Sequence, residues 1–321
     1  MTLLLTFITS AIRLGITFLL GSTGEIITEK SGHLNLGIPG IMCVGAACGC
    51  LGESLYTRTL DSYDDMKALP AILIPIVCSL LGAALMGLIY SFLTVSLRAN
   101  QNVTGLALTT FGVGVTNYII SQLEFVTFQR GSRFFTASLP FASKLGWFGQ
   151  IFLSYGFMVY LGIVIAVSAS LVLTKTRVGL HLRAVGENPA TADAMGINVT
   201  TYRYCATCVG SAIAGLGGLF FVMDYLGGNW EYCIDAMGWL SIALVIFVVW
   251  KPHLSIFGSF LFGGLYIAYN YISGVTFAQK ELLKMLPYVV TIIVLTISSV
   301  RNKREDQPPA ALGLNYYRED R

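Results

Sequence analysis

Charge is what this sequence has least of. Of its 321 residues, 12% are Asp, Glu, Lys or Arg, about half the share of a soluble domain. By contrast 55% are hydrophobic, and the mean hydropathy is +0.71. A water-soluble fold is excluded, which leaves a polytopic membrane protein. The net charge of +3 is too small for nucleic-acid binding, and the basic residues sit at the ends of apolar runs, where lipid headgroups account for them. Histidine is scarce as well: His33, His181 and His253 are spread along the chain with no metal spacing. There is no phosphate-cradling G-x-x-x-x-G-K-[ST], no H-E-x-x-H and no G-x-S-x-G. ATP hydrolysis and the common hydrolytic chemistries are thus not expected of this chain, and neither a cofactor nor a metal is expected. No apolar run carries the Asp/Glu/His relay of a proton-driven carrier.

The seven cysteines lie almost all inside apolar runs. Cys205 and Cys208 have redox or zinc spacing but no second pair nearby, so packing is their expected role. The opening stretch lacks a basic n-region and a small-residue cleavage site. It reads as a retained first span, with Arg13 either snorkelling toward the interface or lying on a tilted, partly interfacial helix.

What is present is a series of apolar runs near 3–20, 34–52, 70–97, 103–123, 151–174, 204–223, 236–250, 254–272 and 285–299. A hydrocarbon core of ~30 Å needs about 20 residues per helix, so the fold class is all-α, a polytopic transmembrane protein of about nine spans, eight to ten. Residues 1–300 form the membrane domain, and 301–321 a polar cytoplasmic tail that composition makes a loose end. The basic stretch 175–203 and the cluster Arg301, Lys303, Arg304 are placed inside. Loops 53–69 and 124–150 then fall outside, and Glu25 to His33 and Arg98 inside. Twelve Lys and Arg lie inside against seven outside.

Residues 175–203 are the long polar interruption of the second half. Asn188 is suited to cap a helix, Pro189 to its first turn and Gly196 to its end, so a short cytoplasmic helix of about two turns is expected. Leu34 to Gly40 (LNLGIPG) is irregular at the mouth of a span: either a broken or re-entrant segment, or a surface loop with the helix beginning at Ile41. Asn100 and Gln101 lie in a tight cytoplasmic hairpin, where they suit capping. Inside the spans, Asn117, Gln122 and Asn270 are the polar residues that need a partner or a cavity.

Three stretches resemble one family. They are TGEIITEKSGHLNLGIPGIM from Thr23, RANQNVTGLAL from Arg98 and LRAVGENPATADAMGINV from Leu182. They resemble, in order and over nearly the whole chain, permease subunits of ABC importers in the branched-chain amino acid and ribose permease superfamily. The nearer resemblance is to its nucleoside branch, which works with basic-membrane-protein-type lipoproteins. This implies a type II-like importer permease of the cell membrane, paired with a second related permease, ABC ATPase subunits and an external substrate-binding lipoprotein. The stretch 183–197 would then be a coupling helix, with Arg183, Glu187, Asn188, Pro189, Asp193 and Gly196 contacting the ATPase. Asn35, Asn100, Gln101 and Asn117 are candidates for the substrate path, because uncharged donors and acceptors suit a nucleoside. Arg130 and Arg133 are candidates for docking the lipoprotein, or else anchor a solvated loop. Importers of the same build for a sugar or an amino acid, and an ATP-independent secondary carrier, remain the alternatives.

Overall fold

A computed structural model describes residues 2–138, 146–272, 274, 276–301 and 307–317, and every regular element among them is helical. Each apolar run of the sequence forms a helix. Those long and apolar enough to cross a membrane are α1 (Thr2–Glu29), α2 (Ile38–Thr57), α3 (Ala68–Ser91), α4 (Gln101–Ser121), α7 (Phe157–Lys175), α10 (Val199–Phe220), and the pair α13 (Phe277–Lys284) and α14 (Leu286–Arg301) taken together. That makes seven candidate spans among the described residues. The two remaining apolar helices, α11 (Ile234–Phe247) and α12 (Pro252–Ile267), have 14 and 16 residues. At 1.5 Å per residue α11 reaches about 21 Å, short of a ~30 Å hydrocarbon core, and α12 about 24 Å before a 3-10 turn, Ala268–Asn270, extends it. Their turn places Val249 and Trp250 at φ 54°, a strained conformation for a β-branched residue.

α10 is the centre. It packs on α1, α2 and α3, and glycines make the crossings close. A Cβ on Gly24 would lie 2.2 Å from the Gly210 carbonyl oxygen, and one on Gly45 2.4 Å from the Cα of Gly215. Backbones in contact at these points gain dispersion along the whole crossing, which is what drives helices together in lipid. The first helix is longer than the run 3–20 that hydropathy marks. It continues to Glu29 because Ser22 and Thr28 satisfy their hydroxyls on the carbonyls of Leu19 and Gly24, each at 3.2 Å, so these polar residues are buried without cost to the helix.

The loops sort into two ends. At one end lie residues 30–35, Arg98, α8 (Arg177–Glu187), α9 (Pro189–Ala194) and Trp250. At the other, Arg133 of α5 (Phe125–Phe135) donates to the Tyr63 carbonyl at 3.3 Å, and Gln129 donates to Asn229 at 2.8 Å. This partition follows the same grouping of loops that charge suggests, in which the first end is expected inside.

Four expectations change. Arg13 does not snorkel: it pairs with Asp224 at 2.9 Å. Of the two readings of residues 34–40, the surface loop is overturned: α2 begins at Ile38 with Pro39 in its first turn, and the irregular residues before it are almost wholly buried in protein. The segment 124–150 holds two helices, α5 and α6 (Gly146–Phe152). Finally, the described part of the tail, 307–317, is docked rather than loose. Ala311 N–H donates to Gly186 O at 3.0 Å and Gly313 N–H to Gly32 O at 3.2 Å. Composition cannot reveal such backbone pairing. Arg301, Lys303, Arg304, Arg318 and Arg321 of the charge count lie outside the residues whose side chains are described.

Candidate functional site

The end that carries α8 and α9 is built from the break between them. Thr176 starts α8 by accepting from Gly179 N–H at 3.1 Å, and α8 runs until Asn188 turns the chain. Asn188 then accepts from Thr191 N–H at 3.0 Å and begins α9. Pro189 occupies the first turn, where its missing N–H costs nothing. Gly196, at φ +83°, ends the helix in the left-handed conformation that glycine adopts freely. The expected capping and stop are thus all present, but 183–197 is not one helix: Arg183 and Glu187 belong to α8, and Asp193 to α9.

Three buried residues, Val185, Ala192 and Val199, hold α8, α9 and the start of α10 together, with Tyr202 and Tyr316 packed against them. Gly186 lies so close to the first loop that a Cβ there would meet the Lys30 carbonyl oxygen at 2.3 Å. Tyr316 OH donates to Asp193 at 2.8 Å, the Asn315 amide donates to Arg98 O at 2.8 Å, and the Arg98 guanidinium stands 4.6 Å over the Tyr317 ring. The tail therefore straps α9 to the turn between α3 and α4. Arg183, Glu187, Asn188 and Gly196 remain exposed, while Pro189 and Asp193 are partly covered. Beside them Met195 is 78% exposed, a large apolar side chain on the outermost turn. Sequence reasoning passed over Met195 and Tyr316. An apolar residue directly before a helix-ending glycine was the available signal for the first, and nothing local marks the second.

Behind this surface lies a buried polar layer. His33 is wedged between Thr94, in the π-turn 92–96 that closes α3, and Thr207 of α10, each hydroxyl 2.9 Å from a ring nitrogen. Burial, reinforced by the Arg203 charge, pushes its pKa down to about 3, so the ring is neutral. Burial also lowers the Lys30 pKa, against the pull of Glu187. Glu25 accepts from Asn35 N–H at 3.2 Å, and Trp250 Nε1 donates to Glu29. The α11–α12 turn is thereby tied to the end of α1.

The candidate path residues do not share one cavity. Asn35 is buried and accepts from Gly37 N–H at 2.9 Å; Asn100 caps α4 on Val103 N–H at 3.1 Å; Gln101 accepts from Leu34 N–H at 2.8 Å and reaches the tail. All three lie at the end that carries α8 and α9. Asn117 lies toward the other end of α4, on the wall of a chamber of about 70 Å³ between α4 and the loop 230–235. Arg130 and Arg133 are exposed on α5, with Arg133 5.1 Å from the Phe134 ring centre. Among the described residues no three His, Cys, Asp or Glu side chains come together as a metal site.

The sequence profile of the family described as "Branched-chain amino acid transport system / permease component" matches residues 7–295. The nucleoside ABC transporter permease protein NupC of Lactococcus lactis subsp. cremoris is 32% identical over 285 residues, 86% of each chain. The putative glucose ABC transporter permease protein TsgC13 of Haloferax volcanii is 29% identical over 94% of each chain. The guanosine ABC transporter permease protein NupQ of Bacillus subtilis is 28% identical over 87% of each. No solved structure matches the chain.

Proposed function

We propose that this chain, which belongs to the branched-chain amino acid transport system permease family, is the transmembrane permease subunit of an ATP-driven ABC importer for nucleosides. It is a multi-pass protein of the cell membrane, and its relatives are permease components rather than enzymes. The observation that carries the substrate class is the similarity to a nucleoside and a guanosine permease over 86–87% of the chain. In this reading ATP hydrolysis resides on a partner ATPase that grips the exposed α8–α9 surface through Arg183, Glu187, Asn188, Pro189, Asp193 and Gly196, with Met195 among them. A second, related permease completes the path, and an external lipoprotein delivers substrate near Arg130 and Arg133. Asn117 contributes to the path directly, whereas Asn35, Asn100 and Gln101 act through the backbone they hold at its cytoplasmic end.

Access alternates when ATP-driven closure of the partner moves α8 and α9. The buried layer around His33, Glu25 and Glu29 then carries the movement to α1, α3 and the α11–α12 turn. A sugar importer of the same build is the second reading, favoured by the similarity to a putative glucose permease over 94% of the chain. Reconstituting the permeases with ATPase and lipoprotein, and measuring ATP-dependent uptake of labelled inosine, glucose and leucine, tests both. Inosine uptake supports the first reading. Glucose uptake without inosine supports the second, and uptake without the ATPase overturns coupling altogether.

A further inference from the structure

The outward faces of the spans are not alike. α3 turns Leu73, Val77, Leu81 and Leu85 outward, an aliphatic stripe that suits lipid. The outward face of α4, by contrast, carries Asn117, whose exposed amide has no hydrogen-bond partner among the described residues, and Gly114, with open space around the position of a Cβ. An unpaired amide against hydrocarbon costs several kcal/mol, so Asn117, one turn from the end of α4 and beside a chamber, calls for water or a ligand rather than acyl chains, while Val103 and Leu106 toward the other end are exposed like the α3 stripe. One helical turn to either side of Gly114 stand two aromatic rings, Phe111 at 56% and Tyr118 at 70% exposure. At i−3 and i+4 they share the face of Gly114 and flank a floor that lacks a side chain.

Beside Asn117 the surface opens into the chamber of about 70 Å³. Two hydrogen-bonding groups on its walls are buried without partners: the hydroxyl of Thr116, whose residue is 2% exposed, and the indole N–H of Trp230. The carboxylates of Glu231 and Asp235 stand on the same walls. One water needs about 10–15 Å³ of such space, so the chamber holds a few. It admits a hydroxymethyl group or a pair of hydroxyls, and excludes a whole nucleoside.

From this geometry we infer that the α4 face is a nucleoside subsite at the external mouth of the path, an inference that rests on the nucleoside reading above. The hydroxylated edge of the ribose enters the chamber. There Thr116 and Trp230 donate to its oxygens, and Glu231 and Asp235 accept its O–H protons. The base lies over Gly114 between Phe111 and Tyr118, with the Asn117 amide at its edge. The carboxylates add a sieve, since they accept from hydroxyls and repel phosphates, so nucleosides pass and nucleotides do not.

The test uses the full complex, with its ATPase, second permease and lipoprotein, in cells lacking other nucleoside uptake. Labelled inosine is the probe, and 5′-deoxyinosine and 2′-deoxyinosine are competitors. Thr116→Val and Glu231→Gln are each expected to raise the KM for inosine about tenfold and to narrow its preference over the deoxy analogues. Gly114→Leu is expected to abolish uptake. Thr116→Ser, which keeps the hydroxyl, is expected to stay near the parent, and Leu81→Ala on the lipid face serves as the control. Glu231 is exposed, so its variant carries the test even if a Thr116 variant misfolds. An unchanged KM and unchanged analogue preference in Glu231→Gln, with the parent complex importing inosine, would overturn the subsite. A parent complex that imports glucose and no nucleoside overturns the nucleoside reading, and the subsite with it.

Discussion

Arg13 and Asp224, 211 positions apart, form a two-point contact. The Nη2 of Arg13 lies 2.9 Å from Asp224 Oδ1 and 2.6 Å from its backbone carbonyl oxygen. The pair joins the first half of α1 to the π-turn 221–225 that closes α10. The Asp224 side chain is fully buried, whereas Arg13 is 35% exposed.

That asymmetry sets the first prediction. Arg13→Met strands a buried carboxylate and is expected to cost about 3 kcal/mol, whereas Asp224→Ala leaves an arginine that still reaches water and costs less. Thermal unfolding in detergent measures both. The idea fails if the two variants unfold alike, or if Arg13→Met matches the parent.

Trp250 holds a strained turn to the end of α1 through Glu29. Trp250→Phe keeps the ring and removes the N–H, so the Glu29 oxygen loses its partner at a cost of about 1–3 kcal/mol. The turn 248–251 should exchange its amide hydrogens faster in the variant, and equal protection would show that the strain is held elsewhere.

His33 gives the pH dependence. Its folded pKa of about 3 lies below the ordinary value near 6.5, so the unfolded chain binds the extra proton between those pH values. The stability contributed by the neutral ring is complete above pH ~6.5 and is lost as pH falls toward 3, by about 1.4 kcal/mol per pH unit. In His33→Gln the loss of stability between pH 6 and pH 4 should be shallower by that slope. Parallel curves for parent and variant would remove His33 as the cause.

Tyr316 fixes the tail to Asp193 of α9. Tyr316→Phe is expected to cost about 0.5–1.5 kcal/mol and to raise hydrogen exchange across 189–198, with ATP-dependent uptake falling in proportion. Uptake that survives deletion of 307–317 would show that the strap does not position the coupling surface.

The sequence made the helical class, the two-ended arrangement of loops and the capped helix at Pro189 readable, because each follows from a local pattern: apolar runs, loop charges, and Asn-Pro before a glycine stop. Arg13 was misread because its partner lies on the other half of the chain. The length of α1 was underestimated because Ser22, Thr23 and Glu25 look like a loop unless their intrahelical and tertiary partners are known. The tail was misread for the same reason, its bonds running mostly through backbone. Hydropathy marked 236–250 and 254–272, and both form helices, α11 and α12, but joined by a strained turn that no residue type announces.

The glycine crossings carry one more consequence, for the packing of the molecule. Where backbones touch, as at Gly24 with Gly210, Gly45 with Gly215 and Gly40 with Gly112, no side chain stands between them, so a methyl added at any of these points must push α1, α2 or α4 off its neighbour. Gly45→Ala and Gly112→Ala are accordingly expected to lower thermal stability in detergent, whereas Gly114→Ala, in open space, should match the parent.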